Sequence, residues 1–236
     1  MFGQNTIVKQ QKKSDYDGTV GITEIFYTLQ GEGMFSGRPA LFIRVKDCCL
    51  SCHFCDTEFS KGSNMSVDSI ILEAREQIKN VKCDLIVITG GEPLIHQGVS
   101  ELANKLLSLG FKVQIETCGA VFLDTLPLDN PSFYIVVSPK TGKINKSIYE
   151  NADAFKYIIT AGEVNPNTGL PNMSTQIKGS SLTIAKPRPG ANVYLTPCDP
   201  HLEEEDYKAN TDAAIVSCMK HGYTLNLQVH KIVGLP

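Results

Sequence analysis

The chain reads as an α/β protein built on a mostly parallel sheet. Three observations predict this. Short apolar runs dense in branched residues alternate with longer segments of helical period, giving roughly six β/α steps from Leu41 onward. Leu85-Ile86-Val87-Ile88 is continuously apolar, as a strand covered on both faces of a parallel sheet requires. Polar clusters then fall just after strand ends, at Cys48 to Thr57, Gly90 to Pro93, Glu116 to Gly119 and Ser138 to Lys140. Barrels and open α/β sheets both place their sites on that edge. The pattern leaves barrel, partial barrel and open sheet unseparated, although six steps fall short of a full barrel.

The elements follow in order. Ile22 to Phe26 forms a short strand that ends in the turn Gln30-Gly31-Glu32-Gly33, and Ala40 to Val45 is a stronger strand. Ser66 or Asp68 starts a helix whose apolar face is Ile70, Ile71, Ala74 and Ile78. Leu85 to Thr89 is the buried strand. Leu102, Leu106 and Leu109 mark the next helix, which Gly110 stops. Strands follow at Lys112 to Glu116, Phe133 to Val137 and Phe155 to Ile159, the last after a short helical segment. Residues 161–190 are rich in Gly, Pro, Asn and Ser and read as a long loop, with a strand expected at Ser181 to Ala185. Asn192 to Thr196 is a strand, Glu203 to Lys220 a helix, and Tyr223 to Gln228 the last strand.

A length of 236 residues and 42% hydrophobic content suit one core. The expected organisation is a flexible N-terminal arm over 1–20 and a single core domain over 21–236. Formal charge is −3 with no long basic run, so nothing demands a nucleic-acid partner. No signal peptide and no apolar run near the roughly eighteen residues of a membrane span is found. The expectation is a cytoplasmic protein without a membrane partner. In a reducing compartment, clustered cysteines serve as metal ligands or catalytic groups more often than as disulfides.

Four of the eight cysteines crowd into residues 48–55. Cys48, Cys52 and Cys55 form a C-x₃-C-x₂-C triplet, and Cys48 rather than Cys49 gives the x₃ spacing. Soft thiolates suit zinc or an iron–sulfur cluster. Three readings stay open on the residues alone: a zinc site borrowing His53 or a distant cysteine, a redox pair at Cys52 and Cys55, or a cluster with one open iron. Gly90-Gly91-Glu92-Pro93 could be a tight turn, or a place where a ligand approaches bare backbone and a carboxylate accepts from its ammonium. Taken singly, Arg44 reads as a surface residue, His230 as a structural donor and Pro236 as a frayed end. Cys83, Cys118, Cys198 and Cys218 read as isolated small hydrophobes or inert thiols.

The triplet, with Phe54 between its last two cysteines and the glycine turn after a buried strand, resembles the radical S-adenosylmethionine enzymes. More specific stretches resemble the 7-carboxy-7-deazaguanine synthase family: Glu24 to Gly33, Gly37 to Ala40, Phe42 to Arg44, Cys55 to Thr57, Glu116-Thr117, Val137 to Lys140 and Gln228 to Lys231. The resemblance implies a partial, six-stranded radical SAM barrel with a short N-terminal extension. It implies a [4Fe–4S] cluster on Cys48, Cys52 and Cys55, with S-adenosylmethionine on its open iron and a deoxyadenosyl radical as the reactive species. It further implies ring contraction of 6-carboxy-5,6,7,8-tetrahydropterin to 7-carboxy-7-deazaguanine with loss of ammonia, adenosylmethionine being regenerated.

The same resemblance assigns Phe54, Gly90, Gly91, Glu92, Ser138, Lys140 and Lys156 to the adenosylmethionine side. It assigns Gln30, Glu32, Arg44, Thr117, His230 and Pro236 to the pterin, with Glu32 on the aminopyrimidinone edge and Arg44 on the substrate carboxylate. Thr57 would offer its hydroxyl to Mg²⁺. An external electron donor such as flavodoxin or ferredoxin and a homodimer are implied too. Other readings are an activating enzyme acting on a partner protein and a zinc-stapled binding module. Asp47, Cys49 and Cys118 depart from the family's usual pattern at their positions.

Overall fold

The structure, a computed structural model, describes residues 9–10, 16–55, 61–175, 182–199 and 204–236. In chain order the elements are β1 (Thr19–Leu29), β2 (Pro39–Val45), β3 (Ser63–Ser66), α1 (Val67–Ile78), β4 (Leu85–Gly90), α2 (Gly98–Ser108), β5 (Lys112–Thr117), β6 (Phe133–Val137), α3 (Lys146–Asn151), β7 (Ala154–Ile159), β8 (Asn192–Pro197), α4 (Glu204–His221), β9 (Thr224–Leu225) and α5 (Val229–Ile232). Among the described residues the strands make one sheet in the order β3-β1-β2-β4-β5-β6-β7-β8-β9. From β2 to β9 every pairing is parallel, and β1 and β3 add antiparallel ladders at one edge. The expected mostly parallel α/β sheet is therefore what the chain forms.

Period-two alternation decides what each strand presents. Leu41, Ile43, Val45, Ile86, Ile88, Val113, Ile115, Phe155, Tyr157 and Leu195 join the main core with Ile70 and Ala74 of α1, Leu102 and Leu106 of α2, and Ala214 of α4. The opposite parity carries Phe42, Arg44, Thr89, Glu116, Lys156 and Thr196, which border a cavity. A small apolar cluster of Ala40, Leu85 and Val87, with Phe35 and Phe42 against it, fills the start of that inner side.

The sheet must curl. β1 and β7 are five strands apart in the sheet order, so a flat sheet would separate them by about 24 Å. Yet Glu32, just beyond β1, binds Lys156 of β7 directly. Gln30 Nε2 donates to Glu116 Oε1 of β5 at 3.0 Å. The open side is bridged by the C-terminal segment rather than by a strand ladder. Asn226 accepts from the Gly33 N–H at 2.8 Å and donates to Thr196 Oγ1 at 2.7 Å. The Val229 N–H donates to Gly31 O at 3.1 Å.

Several local expectations need correction. β1 is longer than expected because its N-terminal half pairs with β3, a four-residue polar strand whose sequence has no strand period. Among the described residues, the β5–β6 and β7–β8 connections carry no helix. The first buries Leu123 and Leu126 in a helix's place. Leu182 to Ala185 is not a strand, and Ser181 lies outside the described residues. The expected last strand shrinks to Thr224–Leu225 because the chain leaves the sheet to bridge the curl. Leu109 falls beyond α2 and is exposed, since Gly110 at φ 87° turns the chain away.

The described parts of the 1–20 segment touch the core. The Gln10 N–H donates to Cys48 O at 2.8 Å, and the Tyr16 hydroxyl to Glu101 Oε2 at 2.8 Å. No helix among the described residues is long and apolar enough to cross a membrane.

Gly91 shows how tightly the fold seats the cysteine loop. A Cβ there would lie 1.6 Å from Asp47 O, a backbone atom that has no rotamer to give way. Gly91→Ala should lower stability by about 1–3 kcal/mol, read as a drop in the urea midpoint. An unchanged midpoint would show that the loop is not held at this contact.

Candidate active site

The cavity on the inner side of the sheet has a volume of about 590 Å³ and is bordered by strand ends from β1 to β8 and by the C-terminal segment. One wall is the cysteine loop. β2 delivers it through Asp47, whose φ of 64° is left-handed, a conformation Asp tolerates better than most residues but which glycine adopts freely. The glycine turn then grips the loop: Gly91 N–H donates to Val45 O at 3.1 Å and Glu92 N–H to Asp47 O at 2.9 Å. On its far side the loop rests on Thr175. The His53 N–H donates to Thr175 O at 3.3 Å, and the Thr175 hydroxyl donates to Cys52 Sγ at 3.3 Å.

Cys48, Cys52 and Cys55 all border the cavity. A hydrogen bond from Cys49 and another from the Leu50 N–H outweigh burial and hold the Cys48 thiol below its usual pKa. Cys49 also reaches Cys118, its sulfur 4.0 Å from that of Cys118. Hydrogen bonds with Cys118 and Cys48, reinforced by burial, raise its pKa. The reading of Cys118 as an isolated thiol is corrected by this contact, which joins residues remote in sequence. The ligating atoms of Cys49, Glu92 and Cys118 lie within 4.8 Å of one another.

Glu92 is 1% exposed. It accepts from Thr117 Oγ1 at 2.6 Å, Cys118 N at 2.8 Å and Leu94 N at 3.1 Å. It sits behind the glycine turn, while Gly90 and Gly91 border the cavity. Lys140 donates to Ser138 and lies 6.0 Å from the Phe54 ring centroid; burial pushes its pKa down. Thr57 lies outside the described residues.

The other wall gathers Gln30, Glu32, Arg44, Glu116, Lys156, His230 and Pro236. Lys156 is buried and bonds Glu32 Oε2, with Glu116 Oε2 at 3.6 Å. Gln228 donates to Glu32 Oε1 at 2.8 Å. Burial opposes the charge on Glu32, but the Lys156 ammonium, its hydrogen bond, the Gln228 amide and nearby His230 prevail and hold the carboxyl below its ordinary value. Lys156 therefore belongs with the carboxylates in this structure. Arg44 pairs Glu24 at 2.6 Å and lies 5.3 Å from the Phe26 ring centroid. Thr28 donates to Pro236 O at 3.1 Å. His230 packs on Gly31 so closely that a Cβ there would be 1.7 Å from Nδ1.

Three polar residues of this wall carry no site role in the sequence reading, although Glu116 and Gln228 lie in stretches it singles out. Glu116 accepts from Gln30, Gln114 and Thr89 and pairs with Lys156 at 3.6 Å. Thr89 and Gln228 also border the cavity. Strand parity could have found Glu116: Val113 and Ile115 face the helices, so Gln114 and Glu116 face inward and Thr117 turns towards Glu92.

A curled, mostly parallel sheet with three thiols at its mouth defines the class, and residues 42–128 match the Radical SAM superfamily. The chain is 41% identical to 7-carboxy-7-deazaguanine synthase of Rhodospirillum rubrum, with 100% of both chains covered. It is 34% identical to the Rickettsia prowazekii protein of that name, covering 100% of this chain and 96% of the relative. The crystal structure of QueE from Escherichia coli superposes with a TM-score of 0.64 at 26% identity, covering 89% of this chain and 94% of that one. The chain belongs to the 7-carboxy-7-deazaguanine synthase family.

Glu32 and Lys156 make a pH prediction. A carboxyl with a lowered folded pKa stabilises fully above its unfolded value, near 4.5, and the contribution is lost as pH falls through the lowered folded value. In Lys156→Met, burial would dominate and raise the Glu32 pKa, so the variant should lose stability as pH rises towards neutral. The loss at neutral pH should be about 3–5 kcal/mol. Urea midpoints measured against pH check this, and parallel wild-type and variant profiles would refute the pairing.

Proposed function

We infer that this chain is a radical S-adenosylmethionine carbon–nitrogen lyase that converts 6-carboxy-5,6,7,8-tetrahydropterin to 7-carboxy-7-deazaguanine with loss of ammonia. The observation that carries the reading is the sharing of one cavity by three cysteines outside any disulfide and a wall of two carboxylates around Lys156. The thiols fit a cluster. They are soft donors, two of their sulfurs already receive N–H or O–H hydrogen bonds, and all three open on the same space. When bound on Cys48, Cys52 and Cys55, a [4Fe–4S] cluster with S-adenosylmethionine supplies the one-electron chemistry that starts the ring contraction.

The protein's own part is binding, orientation and exclusion of water. Glu32 takes one donor from the chain on each oxygen, which leaves lone pairs for the N–H groups of the aminopyrimidinone edge. Glu116 already accepts from several donors of this chain, and so positions Gln30 and Lys156. Lys156, seated between the carboxylates, supports the pterin wall more than the adenosylmethionine side. Arg44, with its guanidinium near Phe26, offers the planar fork a substrate carboxylate needs. His230, close to Glu32, and Pro236 O, which accepts from Thr28, also border the cavity, while Thr117 braces Glu92.

Gly90 and Gly91 leave bare backbone beside the cysteine loop, with Phe54, Ser138 and Lys140 around it. These are the groups for adenosylmethionine, and Glu92 behind them keeps the turn in place. Thr57, two residues after Cys55, would bind Mg²⁺ through its hydroxyl, with substrate oxygens and water completing a hard-cation shell. A homodimer reduced by a flavodoxin or ferredoxin completes the reading, on the family pattern.

The test is anaerobic reconstitution with iron and sulfide, followed by product analysis with 6-carboxytetrahydropterin. Cys52→Ala should stay folded but lose both the visible absorption of the cluster and turnover; full turnover would refute the cluster assignment. In Glu32→Gln, kcat/KM should fall roughly 10- to 100-fold, the loss expected when a charge-assisted hydrogen bond worth about 1.5–3 kcal/mol is removed. Wild-type kinetics in that variant would remove Glu32 from the pterin wall. Thr57→Ala should weaken the Mg²⁺ dependence, and an unaltered Mg²⁺ titration would exclude it as a ligand.

A further inference from the structure

We propose that Cys49 and Cys118 are a redox-sensitive thiol pair that a small-molecule disulfide closes into an intrachain bond, with the cluster cysteines left free. The two sulfurs are 4.0 Å apart, and both residues carry free thiols. A disulfide holds its sulfurs about 2.05 Å apart, so closure asks each side chain to move by roughly an ångström. The backbones are already held together. Buried Glu92 takes its N–H to Asp47 O at 2.9 Å and accepts the Cys118 N–H at 2.8 Å, clamping the start of the cysteine loop to the exit of β5. Cys118 borders the cavity, which gives a small reagent a path to the pair.

Cys48, Cys52 and Cys55 open on the cavity, while the Cys49 sulfur lies between those of Cys48 and Cys118, so the crosslink competes with a Cys48–Cys49 contact that the experiment below distinguishes. In the reaction one thiol loses its proton and attacks the small disulfide, releasing one reagent thiol; the partner then loses its proton, attacks the mixed disulfide and displaces the second reagent thiol. Both S–H bonds are broken and one S–S bond is made. Two electrons and two protons pass to the reagent, which leaves as two thiols. The product pins the cysteine loop to the exit of β5 across 69 positions of sequence.

The second half of the proposal rests on the cluster assignment made above, and the experiment reads the two separately. Reconstituted protein is treated anaerobically with oxidised glutathione. Iron content and visible absorption are recorded, and the sample is then quenched in acid, alkylated and mapped by mass spectrometry. The expected map shows one Cys49–Cys118 crosslinked peptide, alkylated Cys48, Cys52 and Cys55, and iron unchanged before the quench. In Cys118→Ser the crosslinked peptide should vanish while the protein remains folded by circular dichroism. Alkylation of both Cys49 and Cys118, or separate glutathione adducts on each, would overturn the pairing. A crosslink from Cys49 to Cys48, Cys52 or Cys55 with loss of iron would overturn it as well. Protein that never acquires visible absorption would refute the cluster assignment, while the same map still reads the crosslink.

Discussion

The structure depends on a lysine buried between two carboxylates. Lys156 comes from β7, Glu116 from β5 and Glu32 from the turn after β1, and they meet only because the sheet curls. Removing such groups from water costs several kcal/mol per ion, and their mutual attraction compensates only when geometry and further hydrogen bonds are good. Here the further bonds exist: Gln228 on Glu32, and Gln30, Gln114 and Thr89 on Glu116. An apolar replacement of the whole group could be equally stable. Its presence is better understood as a requirement of the cavity than as the source of the fold's stability.

The C-terminal segment makes that arrangement possible. A parallel sheet of this order has no strand to pair its last edge with its first, and β9 spans only Thr224–Leu225. Asn226, Gln228 and Val229 instead bond to Gly33, Glu32 and Gly31. The glycine at 31 is required by the close seat of His230, and the glycine at 91 by the close seat of Asp47. Two glycines, one at each wall, thus fix how far the C-terminal segment and the cysteine loop stand from the strands. The cysteine loop is positioned by backbone hydrogen bonds and by Thr175 before its thiols do anything.

Period and punctuation made the parallel strands legible in the sequence, because a strand buried on both faces has to read as an apolar run and helix ends need residues such as Ser66 and Gly110. They could not show β3, whose Ser-Asn-Met-Ser is held by pairing with β1 and not by its own pattern. The C-terminal bridge was hidden for a related reason: Tyr223 to Gln228 has strand composition, but tertiary hydrogen bonds pull it from the sheet. In the site, spacing marked the cysteine triplet and the glycine turn. Motif resemblance drew attention to Thr117, where simple alternation favours Glu116 as the inward residue. Lys156 was recognised as a site residue, but its partners come from sequence positions 32 and 116, and no local pattern could name them.

Charge is distributed unevenly over the inner wall, and on the reading proposed above this orients the pterin. Glu32 and Glu116 share Lys156, so their part of the wall is rich in acceptors and suits a planar edge of N–H donors. Arg44 lies on β2 with its charge partly answered by Glu24, which is half exposed. That pair is weak in water but strengthens as a ligand displaces solvent from the cavity. A flat molecule with donors at one end and a carboxylate at the other has one favourable direction of entry. Reversed, it would set its anion against the carboxylates and its donors against the guanidinium, each a desolvated like-for-like contact. On that reading the charged groups of the wall select orientation as well as affinity; Arg44, Glu116 and Lys156 act from strands, which hold their positions more rigidly than loops do, and Glu32 from the turn after β1.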